Sequence, residues 1–102
     1  MAAHPLPEQP LASVTTGVCG ASVTASAGQN ITWQNNYGQD VTCTEDPANQ
    51  RNWPLQVTSW TVPANNTAAT PVNGNAPSNP LGYTFRRSVP PCGDGIGRII
   101  IR

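Results

Sequence analysis

The chain has 102 residues with five basic and five acidic side chains, a net charge of zero, eleven Pro, nine Gly and 37% apolar residues. That length supports one domain, and a neutral chain whose basic residues are all arginine offers no electrostatic footprint for nucleic acid or an anionic membrane. The longest apolar run, Ile99–Ile101, is far short of the roughly 20 residues that span a bilayer, so membrane insertion is not expected.

Residues 1–10 hold Pro5, Pro7, Pro10 and the single histidine, His4, without apolar periodicity, and read as a flexible arm or linker. From Leu11 to Arg102 the pattern becomes short runs of Val, Thr, Ile and Trp punctuated by Gly, Asn and Pro, which predicts one all-β domain and no long helix. The first strands are expected at Val14–Val18, Ser22–Ala25 and Ile31–Trp33, with a turn over Ala27–Asn30. Val41 and Cys43 alternate with Thr42 and Thr44, which points Cys43 inward and ends the strand at Glu45-Asp46-Pro47. One irregular helical turn is expected within Pro47–Trp53. Strand segments Leu55–Val57 and Trp60–Val62 follow on opposite parities, implying a bend at Thr58-Ser59. Thr67–Val72 is the next expected strand, and Asn73–Pro80 an exposed loop whose Asn73-Gly74 pair suits a tight turn with positive φ. Tyr83 and Phe85 share one face of the following strand. The last strand, Arg98–Arg102, carries three consecutive isoleucines that suit a central position.

Candidate chemistry is sparse. Cys19, Cys43 and Cys92 are too widely spaced for a zinc ribbon, and a single disulfide plus one buried thiol is the expected arrangement, with three pairings open. Cys92 as a nucleophile activated by Arg86 or Arg87 lacks a histidine base in the domain. Glu45 and Asp46 are neighbours on a strand and point to opposite faces, so they read as a polar strand end and not as a glycosidase pair. Gly93-x-Gly95-x-Gly97 enters a strand and reads as a turn, not a dinucleotide fingerprint. Asn30-Ile31-Thr32 and Asn65-Asn66-Thr67 match the glycosylation pattern. Trp33 belongs to the core, whereas Trp53, beside Arg51 and Pro54, is either an aromatic lid or a stacking surface.

Two segments together resemble the cupredoxin family. Ser22-Val23-Thr24-Ala25-Ser26-Ala27-Gly28-Gln29-Asn30-Ile31-Thr32-Trp33-Gln34-Asn35-Asn36 is similar to its short strand, glycine turn and V-x-W-x-N-N strand. Pro80-Leu81-Gly82-Tyr83-Thr84-Phe85 followed by Gly93-Asp94-Gly95-Ile96-Gly97-Arg98-Ile99 looks like its P-G-x-Y-x-F strand, metal loop and final strand. The resemblance implies an antiparallel Greek-key β-sandwich of 7–8 strands. A blue-copper site needs two imidazoles, a thiolate and a weak axial ligand. The corresponding positions here are Gln39 or Asp40 for the first imidazole, Arg87 or Ser88 for the thiolate, Pro91 for the second imidazole and Ile96 for the axial ligand, none a copper ligand. The resemblance therefore implies a copper-free member with no cofactor. It also places the Cys92 loop and Cys19 near one end of the sandwich, making Cys19–Cys92 the first choice of disulfide and Cys43–Cys92 the second.

The function expected from these readings is non-catalytic recognition of a protein or glycan partner. The expected surface is formed by Trp53, Arg51, Asn75 in its loop, Arg86 and Arg87. The alternatives are a structural subunit or accessory domain of a larger exported or virion-surface assembly, and a residual cysteine-based metal or redox role. Low charge, abundant Asn and Thr, and no lysine suit an exported protein, acting as a monomer or within an assembly, with any export signal removed or carried on a longer precursor.

Overall fold

Alternating burial along each segment builds strands with one face turned to a common core. The computed structural model describes residues 12–49 and 52–102, so the expected arm over residues 1–10, with His4, and Arg51 lie outside the described residues. Eight strands follow in chain order: β1 (Val14–Gly17), β2 (Ser22–Ala25), β3 (Asn30–Asn35), β4 (Val41–Glu45), β5 (Ser59–Val62), β6 (Asn66–Pro71), β7 (Asn79–Arg87) and β8 (Ile96–Ile101). They form a three-stranded sheet, β1-β3-β6, facing a five-stranded sheet, β2-β8-β7-β4-β5. The result is an all-β, sandwich-like fold, as the sequence predicts.

The expectation of a wholly antiparallel sandwich is corrected by two ladders, because β1 runs parallel to β3 and β2 parallel to β8. The chain crosses from one sheet to the other between β1 and β2, where Val18 N donates to Gln34 O and Arg98 N to Ala21 O. Each of these short strands then joins the edge of a different sheet, next to a strand that the chain reaches only after a long connection, which is the condition parallel pairing requires.

Ile31, Trp33 and Asn35 of β3 face inward together with Val41 and Cys43 of β4, Trp60 and Val62 of β5, and Tyr83 and Phe85 of β7. Ile99 and Ile101 come from β8, an interior strand as expected, with Ile100 half-buried on its outer face. Trp33 is the centre of an aromatic cluster, with its ring 5.3 Å from Trp60 and 5.4 Å, edge-on, from Phe85. Such pairs contribute about 0.5–1.5 kcal/mol each beyond the area they bury. The Trp33 indole N–H donates to Thr70 Oγ1 at 2.9 Å, whereas that of the buried Trp60 has no hydrogen-bond partner among the described residues. Trp60 is therefore held by packing against its neighbours.

Three local expectations are revised. Residues 47–48 form a turn closed by Asn49 N donating to Asp46 O, with no helical turn in the described part of that segment. Leu55–Val57 reduces to a single bridge, Leu55 to Val72, and the strand begins at Ser59. The left-handed backbone expected at Gly74 is instead found at Gly28, Gly82 and Asn65. Gly82 carries φ +80° at the irregularity in β7, where Asn79 Oδ1 accepts its N–H at 3.3 Å. A Cβ there would lie 2.9 Å from Ile99 O and 2.8 Å from the Arg98 stem. Gly82→Ala is accordingly expected to lower unfolding free energy by about 1–3 kcal/mol in denaturant titrations. Gly74→Ala, which meets nothing within 4 Å, is expected to change it by less than about 1 kcal/mol.

Candidate functional site

Arg87, at the end of β7, follows the inward parity of Tyr83 and Phe85 and is buried. Its Nε donates to Asp94 O at 2.7 Å, and one terminal nitrogen donates to Val18 O at 3.2 Å and Gly20 O at 2.7 Å. The guanidinium carbon sits 5.9 Å from the centre of the Phe85 ring. Backbone carbonyls thus satisfy a buried cation from two loops, which is how a desolvated charge is tolerated. The Cys19–Cys92 disulfide joins the same β1–β2 and β7–β8 loops covalently.

Arg87 therefore does not belong to the exposed surface expected of it, because strand parity turns it inward. Nor does it lie near Trp53. Asn73 N donates to Pro54 O and Val72 N to Gln29 O, which gathers the segments near residues 26–29, 53–57 and 72–76 at one end of the sandwich. The loops at residues 17–20, 36–40, 63–65 and 88–95 form the opposite end, where β7 delivers Arg87. Asn75 is exposed in the Asn73–Ala76 turn at the first end. Trp53 is half-buried there, donating its indole N–H to Val57 O at 2.7 Å and packing 6.1 Å edge-on from Tyr83 and 6.3 Å from Trp60. Its removal takes packing from the core as well as area from the surface.

Arg86 points the other way, onto the outer face of the five-stranded sheet, with its side chain 64% exposed and Nε 3.5 Å from Asp46 Oδ1. Asp46 anchors the polar end of β4: it accepts from Ala48 N at 3.0 Å and from the Thr84 hydroxyl at 3.0 Å, while Asn49 bridges the Thr84 backbone. The Ala48 and Thr84 bonds, against a smaller opposing effect of desolvation and with help from Arg86, hold the Asp46 carboxyl below its usual value.

The remaining positions that the resemblance matches to copper ligands are placed as follows. Gln39 offers its backbone carbonyl to Asn35 Nδ2 at 2.7 Å, and Asp40 Oδ1 accepts from Ala64 N at 2.9 Å. Ser88 brackets Thr42, accepting at Oγ from Thr42 N and donating its backbone N–H to Thr42 O. Pro91 is half-buried and Ile96 is 52% exposed. Among the described residues no three His, Cys, Asp or Glu side chains come together. Cys43 remains a thiol, buried opposite Trp60 and Arg87 on the neighbouring strands. Burial pushes it up to about 12, only partly offset by the Arg87 charge, so it stays protonated and unreactive at neutral pH.

Sequence reasoning met Asn35 only as part of the family motif and did not single out Tyr37. Asn35 is buried and spends its amide on Gln39 O and Val62 O, while its Oδ1 accepts from Tyr37 N at 2.9 Å. Tyr37 O accepts from Asn65 N at 3.0 Å, and Tyr37 remains partly exposed. The available signal was an aromatic residue placed in the polar run Asn35–Asp40, off any strand alternation.

Among the described residues no helix is long and apolar enough to cross a membrane. Because the Asp46 carboxylate is favoured by folding, its contribution is present above the ordinary aspartate value of 3.8 and is lost as pH falls through its lower folded value. The thermal midpoint is expected to fall on acidification through this window, and Asp46→Asn is expected to reduce that slope while lowering stability at pH 7. No protein-family model matches the chain, and comparison with curated proteins finds no match.

Proposed function

We propose that the chain is a non-catalytic, copper-free cupredoxin-like module that works by recognising a partner. The observation that carries this reading is Arg87. At one of the two positions, Arg87 and Ser88, where the resemblance expects a thiolate stands a buried guanidinium whose Nε and one terminal nitrogen are engaged by three carbonyls. A metal cation about 4 Å from that charge would meet roughly 4 kcal/mol of repulsion per unit of its own charge at an effective dielectric constant near 20. The other aligned positions supply an exposed carboxylate, an amide, a hydroxyl and two apolar side chains, not a pair of imidazoles. Eight strands in two facing sheets support the family likeness, and the Cys19–Cys92 bond suits an oxidising, exported setting.

Enzymatic chemistry has little to draw on. The remaining thiol is buried and protonated, and Asp46 is engaged by backbone and hydroxyl donors in a structural turn. Two of the three cysteines are spent in the disulfide, which leaves the cysteine-based redox alternative with Cys43 alone. Purified protein exposed in turn to copper(I), copper(II) and zinc and then desalted is expected to retain no metal. A thiol reagent is expected to find one thiol in denaturant and almost none in the native state. Three free thiols together with stoichiometric metal would overturn the reading.

A further inference from the structure

At the end of the sandwich that carries the disulfide, a cleft of about 290 Å³ opens between the β1–β2 turn and the end of β3. One wall is Gly17, Val18, Cys19 and Gly20; the other is Gln34, Asn36 and Tyr37. Both walls are fixed from behind. Arg87 holds the Val18 and Gly20 carbonyls, the disulfide holds Cys19, and Val18 N donates to Gln34 O across the cleft floor. Tyr37 is clamped on both sides of its peptide by Asn35 Oδ1 and Asn65 N, yet the residue is 44% exposed. An aromatic ring presented from a rigid backbone loses little freedom on binding.

The lining chemistry selects the ligand. No acid or base lines the cleft, which disfavours ionic ligands. The Gln34 and Asn36 side chains are exposed and hydrogen-bond to no other described residue, and each carries a donor and an acceptor, the pairing that adjacent hydroxyls require. Tyr37 adds an aromatic face for C–H groups and a phenolic hydroxyl at its tip. The volume of about 290 Å³ falls just below the roughly 300–1,000 Å³ of small-molecule sites, which suits one ring and not a long chain.

We propose that this cleft binds a single neutral pyranose unit of a glycan, with Tyr37 as the stacking face and the Gln34 and Asn36 amides as hydroxyl partners. The inference rests on the recognition reading above and moves its surface from the Trp53 end to the opposite one. A shallow site open to water gives weak, millimolar binding, so the test is a titration of the intact protein by two-dimensional NMR. The probes are methyl glycosides of glucose, galactose, mannose and N-acetylglucosamine.

At least one sugar is expected to give saturable shifts at the Gln34 and Asn36 side-chain amides and at Tyr37. Tyr37→Ala is expected to weaken binding by about tenfold with an unchanged melting temperature, while Tyr37→Phe retains most of it. Gly17→Ala and Gly17→Leu supply a second check, because Gly17 lines the cleft and a Cβ there meets nothing within 4 Å, and the melting temperature of each variant is measured beside its binding. Absence of saturable shifts with every sugar would overturn the proposal, as would shifts centred on Trp53 or binding unaffected by both Tyr37→Ala and Gly17→Leu. Failure here together with no retained copper removes the sugar site alone, whereas three free thiols with stoichiometric copper remove the recognition reading itself.

Discussion

The buried Arg87 guanidinium is the contact on which one end of the molecule depends. It reaches Val18 and Gly20 in one loop and Asp94 in another, and it rests over Phe85 at the edge of the aromatic cluster. Removing it would leave three carbonyls without their donor, of which the buried Val18 carbonyl alone costs about 1–3 kcal/mol when unsatisfied. The disulfide acts on the same two loops by another route, shortening the unfolded chain's freedom across a sequence separation of 73 residues. Together they hold the backbone that forms one wall of the sugar-sized cleft. Under the proposed reading the same cation stands at one of the two positions the resemblance matches to a metal-binding thiolate, so a single side chain links fold, rigidity and proposed function.

Across the sandwich, buried and half-buried amides do what charged pairs do in many other proteins. Asn35 ties β3 to the β3–β4 loop and to β5, Asn79 accepts from Gly82 at the β7 irregularity, and Asn49 bridges the Thr84 backbone. Each is an amide that can donate and accept at once, matching the two needs of a neighbouring peptide group. This explains how a chain with five acids and five arginines orders its loops, and why its exposed cleft is neutral.

Strand positions were legible because parity in β3, β4 and β7 is strict: Ile31 with Trp33, Val41 with Cys43, and Tyr83 with Phe85 all face inward. The same parity, carried two residues further, turns Arg87 inward as well, but an Arg-Arg pair before a proline loop reads as solvent-facing by composition. Alternation says which face a residue occupies, not which sheet a short strand joins, so the parallel placement of β1 and β2 was out of reach. Asn73-Gly74 looked like the left-handed turn, yet the steric need lies at Gly82, where the Arg98 stem and Ile99 carbonyl come close from another strand. Trp53 is half-buried through contacts with Tyr83 and Trp60, both distant in sequence. The Cys19–Cys92 pairing was the first choice from the family resemblance, and the structure contains it.

The most direct measurement is equilibrium unfolding of Arg87→Met with the disulfide intact, combined with amide hydrogen exchange. Met preserves much of the buried volume while removing every donor. If Arg87 organises this end, stability falls by about 2–4 kcal/mol and exchange accelerates in the β1–β2 and β7–β8 loops ahead of the sheets. A loss below about 1 kcal/mol, with loop protection unchanged, would show that the disulfide alone holds the two loops and would contradict the central role given to Arg87.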